Sequence, residues 1–262
     1  PFIVERQLDS SMFGVALAAM MTMNFAFAPF WGKLCSYIPT KIVMLIGGVG
    51  YGVGQFFFLM STTEALVIAG RMFAGAFCGG VFTAFSNYII NTTTDPLQRA
   101  ENLTTQVTIQ NVASAVGYFV GGMLGVISTE TAFWVQIIML IVIGALFLVV
   151  CEDDTPYKHK PDKPLTLKEV NPLSAFASAK QFMTPMMLLI FVVVAVTSIG
   201  QNSFDQCFNY YIKDQFGLSS AYNGIFTALI AVVTLIANAS ICVWLQRKTD
   251  TNLRFLPVMA CC

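Results

Sequence analysis

Charge is scarce in this chain. Only 11% of its 262 residues are Asp, Glu, Lys or Arg, and 14 bases balance 14 acids. A soluble domain of ordinary composition carries about 25% charged residues. With 56% hydrophobic residues and a mean hydropathy of +0.70, the chain cannot hide its apolar surface in a water-facing globule, so lipid must be part of its solvent. A formal net charge of zero argues against nucleic acid as a partner. Histidine is nearly missing. The one His, His159, lies in a charged stretch without a cluster of carboxylates or Cys around it, and reads as a solvated side chain rather than a ligand or proton relay. There is no CxxC pair, zinc spacing or HExxH. The seven Cys fall mostly in apolar runs, as small packing residues do. Neither a metal nor a cofactor is expected. The N-terminus carries no cleavable signal pattern.

What the chain has instead is long apolar runs. A helix needs about 20 apolar residues to cross a ~30 Å hydrocarbon core. By that ruler spans fall at 12–31, 42–60, 65–90, 105–127, 131–150, 186–212 and 221–245, and another begins near Arg254. The runs are too long and too uniformly apolar for barrel strands. One set of loops holds Lys33, Lys41, Arg99, Lys158, Lys160, Lys163, Lys168, Lys180, Arg247, Lys248 and Arg254, and the opposite set only Arg6 and Lys213. Positive loops stay in the cytoplasm, so residues 1–11 are placed outside and loops 32–41, 91–104, 151–185 and 246–253 inside. The sequons at Asn91 and Asn102 then face away from the glycosylation machinery.

The charged, Pro-punctuated stretch 151–185 divides the chain into 1–150 and 186–262 as a linker between halves. A short repeat supports this. LDSSMFGV at 8–15 leads into the first span and LSSAYNGI at 218–225 into the seventh, six spans apart. Two six-span halves in parallel repeat are a transporter plan.

Arg71 is the one base inside a span. It stays charged at any ordinary pH, so it must face the bundle or a wet cavity and find acceptors. Asp205 is the one acid well inside a span. Ser198, Asn202, Asp205 and Asn209 share a face about 60° wide at 100° per residue, with Gln201 alongside. Such a stripe suits a substrate cavity or a titrating carboxylate, and equally interhelical hydrogen bonds. Gln106, Gln110, Gly117 and Gly121 share a face of another span, where glycines permit close backbone approach. That face reads as a hinge between halves or as simple packing.

Three motifs carry a resemblance. Gly32-Lys-Leu34-Cys-Ser36-Tyr37-Ile-Pro39-Thr40-Lys41 matches G-x-L-x-D-R-x-G-R-[RK] at Gly32, Leu34 and Lys41, with Ser36 for the Asp and Tyr37 for the first Arg. Arg71-Met-Phe-Ala74-Gly75 matches R-x-x-[Q]-G. Gly117-Tyr118-Phe-Val-Gly121-Gly122 matches the export motif G-P-x-x-G-G, with Tyr118 for the Pro. The chain resembles a major facilitator superfamily transporter of the proton-coupled drug-efflux branch, from about helix 2 to helix 9. Since the chain starts without Met and stops just into an apolar run, it reads as an excerpt lacking helix 1 and most of the second half.

The resemblance implies an all-α integral membrane bundle of two pseudo-repeated six-helix halves. It implies proton coupling at Arg71, whose partner would be Asp205, Glu64 or an acid on helix 1. Gly32, Gly75, Gly117, Gly121 and Gly122 would be hinge or packing positions, and Gln106, Gln110, Gln201, Asn202 and Asn209 would line the substrate cavity. The function expected is proton-coupled export of hydrophobic or cationic small molecules across the cell membrane by a monomer, with protons, substrate and lipid as partners. A proton-coupled symporter of a sugar or other metabolite is the alternative. A seven-helix receptor has no place for the six-span repeat, and an enzyme would need a catalytic constellation that the spans lack.

Overall fold

The computed structural model describes residues 6–9, 11–158, 184–218, 220–237 and 240. His159, most of the linker and the run near Arg254 lie outside the described residues, as do the side chains of Asn202, Asp205 and Asn209. Seven α-helices are described and, among the described residues, no strand. They are α1 (Met12–Tyr37), α2 (Thr40–Met60), α3 (Glu64–Thr92), α4 (Pro96–Ile127), α5 (Thr129–Val150), α6 (Pro185–Phe216) and α7 (Ser220–Ala237). A 3-10 turn, Thr155–Tyr157, follows α5.

Local chemistry sets the ends. Pro39 has no N–H to continue a helix. It separates α1 from α2, with Ile38 extended before it. Thr63 caps α3, its hydroxyl accepting from Leu66 N at 3.4 Å. Asp95 caps α4 by accepting from Gln98 N at 3.0 Å, and Pro96 occupies the first helical position, where a missing N–H costs nothing. Thr184 and Pro185 repeat this pairing at α6, with Met187 N donating to Thr184 Oγ1 at 3.2 Å. Gly217, at φ +61, takes the left-handed conformation that a residue without Cβ adopts freely, and turns the chain from α6 into α7.

The helices outrun the apolar runs that announced them. The expected loops 32–41 and 91–104 shrink to residues 38–39 and 93–95. Hydropathy marks where lipid ends, whereas a helix continues into polar surroundings until a proline or cap stops it. Five described helices are long and apolar enough to cross a membrane. Their large apolar side chains are widely exposed, as with Ile138 on α5 and Phe82 on α3, and lipid is the solvent such a surface requires.

The chain groups into two compact units. One comprises residues 1–103 and 129–181, the other 104–128 and 182–262. In the first unit α3 packs along both α1 and α2, and α5 packs along α2. Lipid tails are as apolar as the helices, so close packing rather than hydrophobic gain must hold such helices together. Small residues provide it. A Cβ built on Gly75 would fall 2.1 Å from Met20 O, where α1 crosses α3. One on Gly54 would fall 2.5 Å from Ala74 Cα, where α2 crosses α3. Trp31, 3% exposed, fills the gap below and donates Nε1 to Ala76 O at 2.6 Å. In the second unit Gly224 of α7 reaches α4, its built Cβ 2.6 Å from Tyr118 O and 3.2 Å from Gly122 Cα.

Candidate functional site

Arg71 lies on α3 where α1 and α2 both come close. Its guanidinium sits over the Phe58 ring, Cζ 3.7 Å from the centroid. Nη1 donates to Gln55 Oε1 at 3.4 Å and approaches Met20 Sδ at 3.7 Å. No carboxylate among the described residues pairs with it, and Glu64, one of the expected partners, makes no such contact.

Gln55 is the second member of the site. It is 0% exposed. An arginine offers donors only, so the amide must turn Oε1 toward it. Nε2 then points away and has no hydrogen-bond partner. The Tyr51 hydroxyl is the polar neighbour of this amide, with the Cys78 thiol beyond it.

Magnitudes show what the site lacks. A cation at bilayer depth costs at least about 2.5–3.5 kcal/mol. A desolvated cation–π contact returns about 2 kcal/mol, and a 3.4 Å hydrogen bond adds little. A buried amide N–H without a partner costs about 1–3 kcal/mol more. Two adjacent groups with spare donors and no anion beside them among the described residues suit an acceptor, above all a carboxylate, which a guanidinium and an amide can bind together.

A second polar cluster lies at the other end of α2 and α3. Asp154, 0% exposed, accepts from Thr40 N at 3.0 Å and Thr40 Oγ1 at 2.8 Å. It also accepts from Asn91 Nδ2 at 2.9 Å and pairs with Lys158 Nζ at 3.1 Å. Lys158 Nζ in turn donates to Ile38 O at 2.6 Å. Burial pushes the Asp154 carboxyl up, but hydrogen bonds from Asn91, Thr40 and Lys158 outweigh it and hold the group below its ordinary 3.8.

The remaining residues singled out in the sequence divide between the units. Gly75 and Gly32 are in the first. Gly75 meets the Met20 backbone, whereas a Cβ on Gly32 would touch, among the described residues, only Thr83 Cγ2, at 3.8 Å. Gln106, Gln110, Gly117, Gly121, Gly122 and Gln201 are in the second. Gln106 is 5% exposed and Gln201 exposed. A Cβ on Gly117 or Gly121 would find no described atom within 4 Å. Asn202, Asp205 and Asn209 are on α6, their side chains outside the described residues.

Sequence reading missed Gln55 and Asp154. Gln55 carried a usable signal. It is the one side-chain amide in α2, and in an antiparallel helix pair joined at residues 61–63 it lies about as far from the turn as Arg71. Asp154 carried none, because Glu152-Asp153-Asp154 after an apolar run looks like the solvated start of a loop.

Comparison with known proteins agrees with this architecture. The family model described as Major Facilitator Superfamily matches residues 1–262. The chain is 23% identical over 221 residues to the quinolone resistance protein NorA of Staphylococcus aureus strain MSSA476, covering 83% of this chain and 54% of that protein. It is 28% identical over 240 residues to the class C tetracycline resistance protein of Escherichia coli, covering 90% of this chain and 58% of that one. The chain thus spans somewhat over half the length of these relatives.

Proposed function

Since the chain belongs to the Major Facilitator Superfamily, we propose that this protein is a secondary active transporter exporting hydrophobic or cationic small molecules in exchange for protons. Family membership implies a multi-pass membrane transporter rather than an enzyme. Both relatives are resistance proteins by name, and a transporter gives resistance most directly by removing the drug.

The observation that carries proton coupling is the Arg71–Gln55 pair, a fixed cation beside an unmatched amide donor with no carboxylate at its side among the described residues. A carboxylate that is ionised when it docks there and neutral when it leaves links proton traffic to conformation, because opposite charge nearby favours the ionised form. Asp205 on α6 is the second coupling residue in this reading. Gln201, Asn202, Asn209, Gln106 and Gln110 line the substrate path, while Gly32, Gly75, Gly117, Gly121 and Gly122 are packing or hinge positions. Residues 1–11 lie outside the cell, 151–185 in the cytoplasm, and the transporter works as a monomer by rocking its halves around a midplane site. A proton-coupled symporter of a sugar or other metabolite is the second reading, favoured by Tyr118 standing where the export motif has proline.

Accumulation of a lipophilic cationic dye in cells tests the direction. Cells carrying the complete gene should retain less dye than cells carrying its Arg71→Ala form, and a protonophore should erase the difference. Equal retention in both would reject export, and greater retention with the intact gene would favour the symporter.

A further inference from the structure

The eight residues after α5 do more than begin a linker. Asp154 is wholly buried, and its bonds reach elements far away in sequence. Thr40, the first residue of α2, gives both its N–H and its hydroxyl, and Asn91, in the last turn of α3, gives its amide. The Thr40 N–H is one of the orphan donors that every helix start leaves, and a carboxylate at a helix N-terminus also meets the positive end of the dipole. Asp154 is therefore an N-cap for α2 supplied from 114 residues away. Lys158, one helical turn on, pairs with Asp154 and caps the backbone end of α1 at Ile38 O. A strap from Cys151 to Lys158 ties the ends of α1, α2 and α3 to the end of α5, within one compact unit.

We propose that Asp154 is a positioning residue, the clasp that holds α2 and α3 in register at the linker end and thereby sets the Gln55–Arg71 contact further along the same two helices. The inference rests on the reading of Arg71 given above. Thr40 and Gln55 share α2, about 22 Å apart at 1.5 Å per residue, and Asn91 and Arg71 share α3, about 30 Å apart. A helix transmits a shift of its end along its length, and displacement by about 1 Å is enough to cost a site about a hundredfold in rate. Lys158, rather than the end of α5, is the last described attachment of this strap, and it holds the ends of the helices that carry the candidate site.

A swap of the paired side chains tests this in the complete protein in native membranes. Asp154→Asn places an amide N–H against the Asn91 amide N–H, donor against donor. Adding Asn91→Asp restores a donor–acceptor pair. Cys35, 1% exposed and near Asp154 and Lys158, reports the clasp through its N-ethylmaleimide labelling rate, read by mass spectrometry. Asp154→Asn should raise that rate about tenfold or more, as one unmade buried hydrogen bond implies. It should also slow substrate-driven proton movement by a similar factor, and the double variant should reverse both. Thr40→Val, which removes one bond and keeps the backbone cap, should give the same changes in smaller measure, and serves if Asp154→Asn fails to accumulate. Unchanged Cys35 labelling in both single variants overturns the clasp. Raised labelling with unaltered proton movement overturns its hold on the Arg71 site. If the unaltered protein moves no protons with any compound, the export reading fails. Labelling of Cys78, buried on α3 near Tyr51, then decides transmission: a rise in Asp154→Asn supports it and no change overturns it.

Discussion

At the scale of single residues, Arg71 and Gln55 make separable predictions. Lysine cannot reproduce the planar fork of donors and sheds its proton readily in apolar surroundings, so Arg71→Lys should behave as a loss. Substrate-driven proton movement is expected to fall about tenfold to a hundredfold, as loss of a hydrogen bond to a charged group, about 1.5–3 kcal/mol, implies. Gln55→Leu should split function from stability. It deletes a buried amide whose Nε2 has no partner together with the long bond that Oε1 accepts from Arg71, two opposed effects, so thermal stability in detergent should stay within about 1 kcal/mol, while proton movement drops. Full activity in Gln55→Leu would make the amide mere filling. Asp154 predicts a pH dependence. Its carboxyl is held below 3.8 in the folded state. Its contribution is therefore complete above 3.8 and disappears as pH falls through the lowered native value. The melting temperature should show no Asp154 contribution to slope between pH 7 and 5, then fall below about pH 4 more steeply than in Asp154→Asn. Arg71 was legible because a charge inside an apolar run is conspicuous. Its surroundings were not, because Met20, Gln55 and Phe58 reach it from two other helices, and sequence spacing within one helix says nothing about its neighbours.

Among the elements, the crossings are the testable features. Gly75→Ala places a Cβ 2.1 Å from Met20 O and 2.9 Å from Met20 Cα, so α1 must move off α3 and take Met20 from Arg71. The expected cost is about 1–3 kcal/mol, as for overpacking in a filled core, read as earlier thermal unfolding, with transport lost as well. Gly117→Ala meets no described atom within 4 Å and should be neutral or stabilising by about 0.5–1 kcal/mol, since alanine suits a helix interior better. The reverse ranking would show that α1 and α3 are not in close contact where Gly75 sits. Helix existence and order were readable from apolar length alone, whereas the ends at Pro39, Pro96 and Pro185 are seen only in the folded chain. Helix extent was not, because α1 and α3 run on through polar residues. Glycine spacing announced small faces without saying what covers them. Gly122 meets Gly224, whereas the nearest backbone to Gly54 and Gly75 comes from α3 and α1.

For the molecule as a whole, the exposed apolar surface and the family match agree that the chain lives in lipid. Loop charges were enough to propose an orientation, and a linker rich in charge and proline was enough to propose two halves. The strap could not be read from the same composition. Residues 151–158 have a linker's polarity and a buried cap's geometry, and only the folded chain distinguishes them. The central claim is that substrate export and proton entry are obligatorily linked through Arg71. Inverted membrane vesicles carrying the complete gene product test it most directly. They are energised to form a proton gradient, and lipophilic cationic compounds are added in turn while the gradient is followed, with Arg71→Ala and Asp205→Asn vesicles alongside. The account predicts that substrates dissipate the gradient in unaltered vesicles and that Arg71→Ala abolishes the response. Substrate-driven dissipation that survives Arg71→Ala unchanged, or no dissipation with any compound, would contradict it.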